Sequence, residues 1–159
     1  MKIKGLIDED FVNYRKVSMF ISFPYCTFKC DKENGCQLCQ NMPLVNDPTF
    51  DISMDKIIKR YLSNDISKAF VLGGLEPLDS FKEVYEFILL LRKTYNCDDE
   101  VVIYTGYNKE EIDDYISLLK KYKNIIIKFG RFRPNQQAHY DEVLGIKLIS
   151  DNQYAEKIS

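Results

Sequence analysis

At 159 residues, with 45% hydrophobic side chains and no Pro-rich or Gly/Ser-rich linker, the chain is sized for a single domain over residues 1–159 with a real core. Its 22 basic and 24 acidic residues leave a formal charge of -2 and are interspersed without long runs of one sign, which argues against nucleic acid or a membrane surface as a partner. The opening MKIKGLIDEDF lacks the apolar core of a signal peptide and the longest apolar stretch, residues 87–91, is too short to span a bilayer, so a cytoplasmic protein with reduced thiols is expected.

Residues 19–23 (MFISF) form an apolar run rich in strand formers that stops at Pro24, which cannot donate to a sheet. Four of the five cysteines, Cys26, Cys30, Cys36 and Cys39, follow within fourteen residues. Beyond Pro43 and Pro48, the segment SMDKIIKRYL sets Ile57, Ile58 and Tyr61 at helical spacing behind a Ser53 cap. Residues 69–72 read as a buried strand ending at Gly73 and Gly74, and Ser80 with Glu83 predicts a capping box for the helix FKEVYEFILLLRKTY, whose residues 87–91 are core. Residues 100–104 predict a third strand ending at Thr105 and Gly106, after which Asn108 and Glu111 cap an amphipathic helix to about Tyr122. Residues 125–129 predict a fourth strand ending at Gly130. In the tail, residues 131–159, LGIKLIS reads as a strand, while DNQYAEKIS has no derivable place.

Strand and helix in alternation predict an α/β fold with a mostly parallel sheet and right-handed crossover helices. The carboxyl ends of parallel strands share one edge, where such folds place their sites. The cysteine loop and the turns GGLEP, TGY and GRF all fall at that edge. The cysteines are spaced C-x3-C-x5-C-x2-C, and thiolates suit either zinc or an iron–sulfur cluster. The address at a ligand-binding edge favours a reactive cluster over a structural zinc staple. Cys97, far from the others, reads as a buried or loop thiol, and His139 as a surface residue.

Cys26-Thr27-Phe28-Lys29-Cys30 and Cys36-Gln37-Leu38-Cys39-Gln40-Asn41 resemble the two halves of the radical S-adenosylmethionine (SAM) signature C-x3-C-x2-C, with residues 31–35 inserted between them. Cys26 and Cys39 match the outer ligands. Cys30 and Cys36 compete for the middle one, with the spacing of Cys36 to Cys39 and the following Gln-Asn matching best. Gly73-Gly74-Leu75-Glu76-Pro77 resembles the GGEP turn that holds the SAM amino group, with Leu75 inserted. The segment from Ile103 to Tyr107, the GRF turn and Ser150-Asp151-Asn152-Gln153 are similar to stretches of the activating proteins of anaerobic ribonucleotide reductase, and Asn13-Tyr14 is similar to their approach to the first strand.

The resemblance implies a partial (β/α) barrel of the radical SAM type. It implies a 4Fe-4S cluster held by three of Cys26, Cys30, Cys36 and Cys39, and SAM held near Gly73, Gly74, Glu76 and Thr105. It further implies a low-potential electron donor and a glycyl radical enzyme as protein substrate, for which the tail 131–159 is the candidate docking surface. Two other readings stand beside it: a radical SAM enzyme acting on a small molecule, resembling 7-carboxy-7-deazaguanine synthases, and a non-catalytic iron–sulfur or zinc module held by all four cysteines.

Overall fold

A computed structural model describes the chain over residues 1–159. It opens with β1 (Lys2–Ile3) and β2 (Gly5–Asp10), strands that the sequence reading does not foresee because β2 is a half-exposed edge whose polar and apolar positions do not alternate cleanly. β3 (Ser18–Phe23) is the apolar run before Pro24. The cysteine loop then carries two short helices, α1 (Lys29–Asn34) and α2 (Met42–Asn46), neither of which buries a residue. β4 (Phe50–Asp51) pairs with β1 and leads into α3 (Met54–Leu62), where Ser53 Oγ accepts from Lys56 N at 3.2 Å as a cap.

β5 (Ala69–Gly74) leads to α4 (Phe81–Lys93) through a 3-10 turn over Pro77–Ser80. The capping box expected at Ser80 does not form. Its side chain makes no cap bond, since a 3-10 turn runs directly into the helix, and it is that turn which Glu76 caps by accepting from Leu78 N. After β6 (Glu100–Tyr104), the Asn108 and Glu111 box is present, but it caps a 3-10 turn, Lys109–Glu111, and the helix that follows, α5 (Asp113–Leu119), stops short of Tyr122. β7 (Ile125–Phe129) is followed by a hairpin of β8 (His139–Asp141) and β9 (Ile146–Leu148), and finally by β10 (Tyr154–Lys157).

Six strands form one sheet in the order β10-β7-β6-β5-β3-β2. The four central strands are parallel, and both edge strands run antiparallel to their neighbours. One face packs Met19, Ile21, Phe70, Leu72, Ile103 and Ile127 against Ile57, Phe87, Ile116 and their helical neighbours. All three longer helices therefore cover the same side. The opposite face, with Val71, Val102 and Ile126, is covered more thinly by Tyr14, Leu144 and Leu148 from the loop before β3 and from the hairpin. Period-two alternation sends Phe20, Gly73, Tyr104 and Lys128 to this thinner side. No helix is long and apolar enough to cross a membrane.

Candidate functional site

Beyond the carboxyl ends of β3, β5, β6 and β7, the chain leaves a cavity of about 570 Å³ between the thinly covered sheet face and the hairpin. Cys26, Cys30, Cys39, Gly73, Gly74, Glu76, Thr105 and Gly106 all line it, with Lys128 and Gly130 from the β7 end and Ile146 to Ile149 from the hairpin. The size is that of a small-molecule or cofactor site. Short bonds between turns set its rim. Leu75 N donates to Phe23 O and Glu76 N to Tyr25 O, tying the GLEP turn to the start of the cysteine loop, and Asn41 Nδ2 donates to Gly74 O.

The structure separates the four cysteines. Cys26, Cys30 and Cys39 are half-buried on the cavity wall, whereas Cys36 is exposed, outside the cavity, with its thiol directed at Asn34 O. The spacing preference for Cys36 over Cys30 is thus not matched by position. Residues 31–34 coil into α1, Gly35 ends it, and Asp31 Oδ1 accepts from Leu38 N and Cys39 N, both at 2.9 Å. That cap draws Cys39 back beside the helix carrying Cys30 and leaves Cys36 on the outer bend. Burial pushes the Cys26 thiol up to about 12 and raises Cys30 and Cys39 as well, so these groups are neutral thiols until a cation meets them. No three His, Cys, Asp or Glu side chains converge closely enough for a single metal ion.

Glu76 is 6% exposed, and its two oxygens divide between Leu78 N at 3.1 Å and Gly106 N at 2.8 Å. It therefore cross-links the turns after β5 and β6. Burial lifts it to about 7 against those two N–H donors. A Cβ on Gly106 would lie 3.5 Å from Glu76 Oε2, 3.6 Å from Cys30 Sγ and 3.7 Å from Arg131 Cγ, so carboxylate, thiol and guanidinium stem meet at one point. Thr105 is buried, and its Oγ1 accepts from Tyr107 N.

Asp79 and Lys128, which the sequence reading passes over, and Arg131 of the GRF turn complete the site. Asp79 accepts from Thr27 N and Tyr107 Oη, both at 2.6 Å, joining the cysteine loop to TGY. Arg131 forks onto Glu111 with two bonds of 2.7 Å and lies 3.2 Å from Glu33 on α1. Lys128 is the polar residue in the apolar strand IIIKF and is 7% exposed. Its position in that run is the one sequence signal that marks it. His139, read as a surface residue, is half-buried in β8, and Cys97 is buried.

The Arg131 fork holds Glu111 well below the usual carboxylate range, at about 2. A depressed folded-state value gives stability that is present above the ordinary carboxylate range and is lost as pH falls through about 2. Glu111 is a third exposed, so solvent screening reduces the gain to on the order of 1 kcal/mol. Glu111→Gln should lower urea stability by that amount at pH 7 and match the parent near pH 2. A gap of equal size at both pH values would assign the loss to packing.

The sequence pattern of the family described as 4Fe-4S single cluster domain matches residues 14–154, most of the chain. The chain belongs to that family. It is an iron–sulfur protein. No curated protein and no solved structure matches it. The donor chemistry fits the group: three half-buried thiols on one cavity wall supply soft ligands, and four irons with their sulfides span more space than one ion, which suits thiols that do not converge on a point.

Proposed function

We propose that this iron–sulfur domain is a radical SAM enzyme that generates a glycyl radical on an anaerobic ribonucleotide reductase or a related partner, working in the cytoplasm. The observation that supports it most is the one cavity lined by Cys26, Cys30, Cys39, Gly73, Gly74, Glu76, Thr105 and Gly106 together. Cys26, Cys30 and Cys39 hold the cluster in this reading, leaving one iron for SAM. In this reading the parallel strands of the sheet correspond to a partial (β/α) barrel of the radical SAM type.

When bound and reduced, the cluster supplies one electron that splits SAM into methionine and a 5′-deoxyadenosyl radical, which removes hydrogen from the partner's glycine. The chain's own residues bind and orient. Gly73 and Gly74 bring backbone close to the ligand, and Glu76 offers the ammonium the lone pairs left over from Leu78 N and Gly106 N. Thr105 adds a hydroxyl at the cavity wall. A low-potential donor delivers the electron. Of the tail, β10 is committed to the sheet, so the hairpin at the cavity mouth is the part free to meet a partner.

The test mixes the reconstituted, reduced protein with SAM and an anaerobic reductase. A stable carbon-centred radical in the electron paramagnetic resonance spectrum, with 5′-deoxyadenosine in comparable amount, is the expected result. Cleavage that depends instead on a purine-like molecule, with no protein radical, would move the assignment to the small-molecule reading. An intact cluster with no cleavage under strong reduction would leave a non-catalytic module.

A further inference from the structure

We propose that Lys128 is a built-in electrostatic control of the cluster, a buried ammonium on the cavity that Cys30 also lines, which makes the cluster easier to reduce. This rests on the cluster being held by the cavity thiols, and it is independent of whether the cavity takes SAM.

Lysine is almost never fully buried unless paired, and burying an uncompensated ammonium is costly. Lys128 nevertheless sits at the end of β7 among Ile125, Ile126, Ile127 and Phe129, where an apolar side chain would serve packing alone. Its Nζ donates to Gly130 O at 2.9 Å, one bond for three donors, and the side chain lines the cavity together with Cys30 and Glu76. Arg131, the other buried cation by Cys30, is already matched by Glu111 and Glu33. Glu76 shares the lining with Lys128, but its oxygens accept from Leu78 N and Gly106 N and it forms no salt bridge with Lys128. Lys128 is therefore a buried cation of the cavity that no salt bridge matches, whereas Lys147, also on the lining, is exposed.

A 4Fe-4S core with three thiolates carries a net negative charge that grows by one unit when an electron enters, with no bond broken and no proton required. A fixed cation in a low-dielectric pocket favours the more negative state, and net charge and burial are established determinants of cluster potential. The expected effect of removing it is a reduction equilibrium at least tenfold less favourable, equivalent to about 59 mV for one electron.

The experiment is a redox titration of the reconstituted protein without SAM, using dithionite and mediators at pH 7 and following the reduced-cluster signal. Lys128→Met should hold the parent's iron and show the drop, while Lys128→Arg should stay close to the parent. Lys128→Gln, which keeps a polar donor without the charge, should follow Met and serves if Met fails to fold. A potential unchanged in the neutral variants overturns the proposal, as does equal iron loss in the Met and Arg variants, which would mark a packing role. Because SAM is left out, neither result depends on the radical SAM reading.

Discussion

Alanine at Cys26, Cys30 or Cys39 should abolish the cluster, while Cys36→Ala keeps it. Each cavity thiol is half-buried on the wall beyond β3, and neither alanine nor serine offers iron a comparable soft anion. Cys36 lies outside that wall with its thiol on Asn34 O, so its loss leaves the ligand set intact. Iron per chain and the thiolate-to-iron absorption band after anaerobic reconstitution distinguish the variants. The expected contrast is near-complete loss in three variants against full occupancy in the fourth. Iron loss in all four would establish a closed, four-thiolate cluster and argue against an open iron for SAM. Loss with Cys36→Ala but not with Cys30→Ala would restore the choice made from spacing alone.

That choice shows what the sequence carries and what it does not. β6 and β7 have the bounds read from sequence, because each is an unbroken apolar run with turn residues on both sides. The edge strands β2 and β10 escaped because each has one exposed flank and a mixed composition. α1 escaped for a different reason: KCDKEN buries nothing, and Asp31, capping Leu38 and Cys39, holds the bend that follows it. Spacing along a chain is one-dimensional, so it cannot register that α1 turns Cys30 toward the cavity and Gly35 sends Cys36 outward. The four strand-end turns were legible as neighbours because parallel topology puts them together. The burial of Lys128 was not, since β10, which pairs Ala155 with it, comes from a later stretch whose place the sequence does not give.

Gly74→Ala should cost on the order of 4 kcal/mol, a large part of a domain's usual margin, and should lower cluster loading with it. Gly74 has φ of +88°, a conformation that L side chains rarely adopt. An added methyl would overlap Ser22 Oγ and fall 2.8 Å from Phe23 N and 2.9 Å from Ser22 Cα, atoms of the strand with which β5 pairs. Relief requires β3 and β5 to part at their carboxyl ends. The same ends hold the cysteine loop through Leu75 N to Phe23 O, Glu76 N to Tyr25 O and Asn41 to Gly74 O, so the strain reaches the thiols directly. Gly106→Ala supplies the contrast, because its methyl meets neighbours at 3.5 Å or more and its φ is not in the left-handed range. Urea unfolding of the metal-free chains, with iron content after reconstitution, should separate the two. Gly74→Ala within about 1 kcal/mol of the parent would mean that the turn relaxes without disturbing β3, and the glycine would then owe its place to a ligand approaching the backbone.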